Sequence, residues 1–169
     1  MFLSDPLIVS NKARDKEAEN LRFREILQQR DGATVDQMVF RLNKEVTPQI
    51  DCTKCGNCCK SLMINVDDAD ATRLSDHLEI DKETFYNKYV ERSSQGSLAV
   101  MNKIPCHFLH ENKCTVYAAR PKECREFPAL HHKGFTERLF AVFMHYGRCP
   151  IVYNVIEALK TKIATSYEI

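Results

Sequence analysis

The run Cys52-Thr53-Lys54-Cys55-Gly56-Asn57-Cys58-Cys59 constrains this chain most, because it places four of the eight cysteines in eight consecutive positions. Two cysteines separated by two residues bring both sulfurs to one centre across the turn between them, and here that unit is repeated at once. Cys52, Cys55 and Cys58 therefore form a CxxCxxC run that suits either tetrahedral zinc or an iron–sulfur cluster, and Gly56 supplies the permissive dihedral that a tight loop needs. Side chains of adjacent residues are expected to diverge, so Cys58 and Cys59 are predicted to serve different environments, either as two metal sites or as one site with a spare thiol. In the two-site reading Cys124 or Cys149 closes the set begun by Cys52, Cys55 and Cys58, while Cys59 joins Cys106 and Cys114.

Eight cysteines mean metal or disulfides according to the compartment. The stretch before Val9 is apolar only in places, is broken by Asp5 and Pro6 and is followed by a charged segment, which does not read as a signal peptide. No run approaches the roughly 18 apolar residues of a membrane span. The expected location is the cytoplasm, whose reducing conditions favour metal over a disulfide framework. Charged residues at 28% and apolar ones at 44% describe a globular chain of 169 residues, and a net charge of +1 offers no basic stripe for nucleic acid or a membrane surface.

Residues 11–31 are charged, free of Gly and Pro, and predict one helix with a narrow apolar edge at Leu21, Phe23, Ile26 and Leu27, a surface open to a protein partner, with Gly32 stopping it. Thr34 is expected to cap a second helix over 35–45, with Pro48 marking its end. Residues 62–66 read as a strand, Asp67 or Asp68 and then Asp81 as helix caps, 93–97 as a polar loop and 98–101 as a strand. Cys106 and Cys114 fall on the two arms of a predicted hairpin, and Cys124 falls in a short helical knob bounded by Pro121 and Pro128. Residues 137–146 fit a buried strand or a helix by periodicity and are read as a strand because Gly147-Arg148-Cys149-Pro150 ends them with turn chemistry, and 150–165 are read as a final helix with Val152, Val155, Ile156, Leu159 and Ile163 on one face. The expected architecture is α+β, a small irregular cysteine-rich core flanked by two N-terminal helices and one C-terminal helix. Its expected division is a helical extension over 1–48 and a cysteine-cluster metal-binding domain over 49–169.

The ordered succession Cys52-x-x-Cys55-Gly56-x-Cys58-Cys59, Cys106-x-Phe108-Leu109, Cys114-x-Val116-Tyr117-x-x-Arg120-Pro121-x-x-Cys124-Arg125-x-Phe127-Pro128 and Cys149-Pro150 resembles the YkgJ-type cysteine cluster proteins, also called the CxxCxxCC family. The likeness covers roughly residues 50–152 and extends to Val66-Asp67-Asp68-Ala69-Asp70 and Phe85-x-x-x-Tyr89. It implies that the cysteines bind zinc or iron, or a [4Fe–4S] cluster, and it does not imply a settled reaction. Flagellin lysine methylases carry such a region in a longer protein, which brings in an iron–sulfur-dependent redox or modification enzyme as the alternative. The chain has no glycine-rich strand-to-helix signature for a nucleotide-like cofactor, no phosphate loop and no HExxH.

All eight cysteines are thus candidate metal ligands. Arg120 and Arg125 flank Cys124 and would offset thiolate charge, while Tyr117, Phe108 and Phe127 would wall the site and limit solvent access. With so many thiols available, the histidines are read as surface or core residues.

Overall fold

The computed structural model describes residues 2–93 and 98–165. Among these residues the chain is α+β, with ten α-helices and two antiparallel two-stranded sheets. It forms two compact units, Gly56–Phe127 and a second made of Met1–Cys55 with Pro128–Ile169. The sequence reading drew its single boundary between residues 48 and 49.

The helical unit begins with α1 (Pro6–Asp15), α2 (Glu17–Gln28) and α3 (Gly32–Val46). Asp5 caps α1 by accepting the N–H groups of Leu7 (2.7 Å) and Ile8 (3.2 Å), and Pro6 occupies the first helical position, where it forfeits no hydrogen bond. The single helix expected over 11–31 is two helices, and the first starts earlier. Lys16 leaves the helical region (φ −106°, ψ 13°), and its N–H turns back to Ala13 O (3.2 Å). No Gly or Pro announces that break; Lys16 ion-pairs there with Glu157, far along the chain, a contact that local propensity does not show. Asp31, and not Thr34, caps α3; its carboxylate accepts from both the N–H (2.8 Å) and the Oγ1 (2.6 Å) of Thr34.

A 3-10 turn at Thr47–Gln49 leads to the four-residue α4 (Cys52–Cys55). α10 (Pro150–Thr165) is the hub of this unit. Its predicted apolar face is buried, and so are Ile151, Tyr153 and Asn154. Asn154 clamps the N-terminal segment, with Oδ1 accepting from Leu3 N (3.0 Å) and Nδ2 donating to Leu3 O (2.7 Å). Residues 137–146 do not form a strand. They lie mostly in a 3-10 turn (Thr136–Arg138) and α9 (Leu139–Met144). Leu139 and Val142 are buried three apart while Phe140 and Met144 face solvent, so the burial period is helical and not alternating.

The Gly56–Phe127 unit starts with α5 (Asn57–Ser61), followed by α6 (Asp68–His77) and α7 (Lys82–Tyr89). Asp67 and Asp81 cap these last two helices, as predicted, accepting the N–H groups of Asp70 (2.7 Å) and Thr84 (2.8 Å). β1 (Val90–Arg92) pairs with β2 (Ala99–Met101) in the register Val90↔Met101, and the predicted polar loop lies, beyond Ser93, outside the described residues. The strand expected at 62–66 is reduced to a bridge, Asn65↔Val100, flanked by Val66 N→Ala99 O and Met101 N→Ile64 O, both 2.9 Å. β3 (Leu109–His110) and β4 (Lys113–Cys114) form a hairpin where one is predicted, but shorter, with Cys106 before β3 and not on an arm; its two-residue turn, Glu111 (φ 46°) and Asn112 (φ 64°), has the positive dihedrals of the tightest hairpins. A 3-10 turn (Tyr117–Ala119) leads to α8 (Lys122–Glu126). The core is Phe85, Leu74, Ala71, Val66, Met101 and Phe108 with their apolar neighbours, and Cys106 and Cys114 pack on its edge.

Candidate metal centre

Three segments of the Gly56–Phe127 unit converge on one small cavity of about 30 Å³. α5 brings Cys58 and Cys59, the stretch before the hairpin brings Cys106, and α8 brings Cys124. Leu62, Ile64, Met101 and Phe127 supply its apolar wall, and Lys103 stands at the same cavity. The backbone fixes two of these segments to each other, since Cys106 N donates to Cys59 O (2.8 Å). Cys114, opposite Leu109 in the hairpin, is close enough for its charge to act on Cys59, Cys106 and Cys124.

Cys58 and Cys59 line the same cavity, which corrects the expectation that they diverge. That expectation holds for extended chain, where successive side chains alternate; on the helical turn of α5 adjacent side chains are only about 100° apart. The two thiols are hydrogen-bonded to each other. The Cys59 thiol donates and, together with the backbone N–H groups of Cys59 and Cys58, outweighs burial, lowering Cys58 to about 7. Giving that hydrogen bond, with burial and the neighbouring sulfur charges, raises Cys59. Burial is also the main cause that raises Cys106 and Cys114, the latter opposed by the Val116 N–H and by Arg120, and it pushes Cys124 up to about 12.

The segment between the hairpin and α8 is held by Asp70, a buried carboxylate whose Oδ1 accepts Lys122 N (2.9 Å) and pairs with Arg73. Arg73 in turn donates to Ala119 O (3.2 Å) and Arg120 O (3.1 Å). Arg125 also donates to Arg120 O (3.1 Å), while Arg120 lies 3.7 Å over the Tyr117 ring and donates to Tyr117 O (2.6 Å). Of the five residues expected to support the site, Phe127 reaches the cavity, while Phe108 lies in the apolar core against which Cys106 and Cys114 pack; Arg120 acts on Cys114 by charge, and Arg125 and Tyr117 shape the turn. The sequence reading missed Leu62 and Ile64, although their period-2 spacing around exposed Met63 was visible, and it missed Lys103, for which no local signal exists. It read the aspartates as caps, which is right for Asp67 but overlooks the Asp70–Arg73 pair at helical spacing i, i+3. His107 is held by Asn102 (Nε2···Oδ1 2.6 Å) and by an edge contact with Tyr89, and it does not line the thiol cavity.

The other three cysteines belong to the helical unit. Cys52 and Cys55 stand three apart on α4, and Cys149 is buried at the start of α10. None of the eight cysteines is in a disulfide. Among the described residues no three His, Cys, Asp or Glu side chains are drawn together closely enough to hold a metal ion. The thiols of the cavity have the donor chemistry of a soft-metal site and surround one space, without the contracted geometry of a coordination sphere.

A family model for CxxCxxCC, described as "Putative zinc- or iron-chelating domain", matches residues 51–142. The chain belongs to the CxxCxxCC family. No curated protein and no solved structure matches it. The CxxCxxCC match takes in the whole Gly56–Phe127 unit together with Cys52 and Cys55, and leaves out Cys149. Among the described residues no helix is long and apolar enough to cross a membrane.

Proposed function

We propose that the Gly56–Phe127 unit chelates a single zinc or iron ion through the thiolates of Cys58, Cys59, Cys106 and Cys124, with Cys114 as an adjacent fifth thiol. The observation that carries this reading is that cysteines from three separate segments of one unit line one cavity. Thiolates are the donors of structural zinc sites, and such an ion supplies a covalent tie between segments that a core this small holds weakly by itself. The small cavity, with its four thiols, suits one ion. Apolar cover from Leu62, Ile64, Met101 and Phe127 would exclude water from the ion, and Lys103 would offset part of the thiolate charge. Cys52 and Cys55 keep their chelating spacing on α4 and, with Cys149, are the remaining ligand candidates.

Metal analysis of protein purified anaerobically tests this. The expected result is about one equivalent of zinc or iron without acid-labile sulfide, reduced severalfold in both Cys59→Ser and Cys124→Ser. Protein devoid of both metals would overturn chelation. Stoichiometric sulfide with charge-transfer absorption in the visible would replace the single ion by an iron–sulfur cluster and favour the redox alternative.

A further inference from the structure

A second cavity, of about 470 Å³, lies wholly within the helical unit, lined by α1, α2, α9 and the turn that follows α9. Small-molecule sites commonly measure about 300–1,000 Å³. Its wall carries three guanidinium groups, Arg14, Arg24 and Arg148, against one carboxylate, Glu17. The rest is largely apolar, and two of its large side chains, Phe140 at 69% and Leu21 at 54%, are exposed to an extent unusual for such residues. Arg24 is 5.9 Å from the ring centroids of both Phe140 and Phe143, so a cation and two aromatic faces share one wall.

Two polar atoms in this wall lack the partners that burial normally demands. Asn20 is only 8% exposed, and its Oδ1 has no hydrogen-bond partner; Arg24 Nε is likewise buried and unpartnered. The Asn20 amide cannot simply turn, because its side chain donates to Tyr146, whose hydroxyl donates to Glu157 Oε1 (2.7 Å). The two residues that carry this unsatisfied acceptor and donor line one cavity, beside further arginines and exposed aromatic surface.

We propose that this cavity binds a small planar aromatic acid. Its carboxylate or phosphate would be received by Arg24 and Arg14, and its ring would cover Phe140 and Leu21. Arginine forks match both anions, and the apolar wall favours an aromatic body over a bare inorganic ion.

Fluorescence titration of the full chain with anilinonaphthalene sulfonate, followed by competition with salicylate, phenyl phosphate and neutral benzyl alcohol, tests the proposal. Saturable binding at one site, displaced by at least one of the two acids and not by the alcohol, is expected, and the stronger acid identifies the anionic group. Arg24→Gln should weaken binding about tenfold, the effect of removing one charge-assisted contact. Phe140→Ser, at an exposed position that tolerates a polar residue, should weaken it severalfold with an unchanged melting temperature. Equal displacement by benzyl alcohol, displacement by neither acid, or an unchanged affinity in Phe140→Ser would each overturn the proposal.

Discussion

Gly56 carries two independent constraints at one Cα. Its φ of +58° lies in the left-handed region, and a Cβ built there would stand 2.6 Å from the backbone carbonyl oxygen of Asn112. The hairpin turn thus sits directly on the glycine that opens α5, and the close approach seats the Cys58–Cys59 pair beside the hairpin. Gly56→Ala is predicted to cost about 2–4 kcal/mol, combining left-handed strain with a clash against rigid backbone. Gly56→Asn separates the two constraints, because asparagine tolerates the dihedral but still carries a Cβ. It should remain strongly destabilised in urea denaturation; a variant as stable as the parent would mean that the dihedral alone matters. The sequence pointed to glycine's dihedral at this position, since a CxxC turn needs it locally. The approach of Asn112, 56 residues further along the chain, left no local trace.

Among the elements, α6 does more than its caps suggest. Asp70 and Arg73 sit on its inner face and grip the backbone of Ala119, Arg120 and Lys122, which sets where α8 starts and hence where Cys124 points. Asp70→Asn keeps the shape but leaves Arg73 without its carboxylate, and is predicted to cost about 2–3 kcal/mol. A double-mutant cycle with Arg73→Gln should give a coupling above about 1 kcal/mol in denaturant unfolding; additive losses would show that the two side chains act separately. Elements whose signals are local were legible. Asp67, Asp81, the hairpin and α10 were each announced by a cap, a turn or a periodic face. Elements decided by distant partners were not. At the break Lys16 pairs with distant Glu157, and the run from Leu139 to Met144 can satisfy a strand or a helix until its neighbours choose which side chains to bury. The site followed the same rule. All five thiols of the Gly56–Phe127 unit are visible as ligand candidates in the sequence, yet the grouping of Cys58 with Cys59 depends on α5 being helical.

At the scale of the whole chain, the N-terminal helices and the C-terminal helix share one unit although the cysteine-rich unit separates them in sequence. Composition could not reveal that pairing, because the pieces meet through the buried apolar face of α10 and a half-buried polar network centred on Glu157 of α10. Glu157 pairs with Lys16 and with Lys160 (2.8 Å), and accepts from the Tyr146 hydroxyl (2.7 Å); Lys160 also reaches Glu19 of α2 (2.7 Å). Burial alone would raise the Glu157 carboxyl, but the hydrogen bonds from Lys16, Lys160 and Tyr146 outweigh it and hold the group below its ordinary 4.5. Tyr153 and Glu19 are the other titratable groups facing this cluster. A carboxylate whose folded value is depressed contributes stability above its unfolded value, and that contribution is lost as the pH falls through the folded one. Glu157→Gln should therefore melt well below the parent at pH 7, because Lys16 and Lys160 lose their shared counter-charge. As the pH drops below about 4.5 the parent should lose stability faster, and the two melting temperatures should converge. A gap that stayed constant from pH 7 to about pH 3 would show that the charge on Glu157 does not join these helices, and that the loss in Glu157→Gln comes from packing.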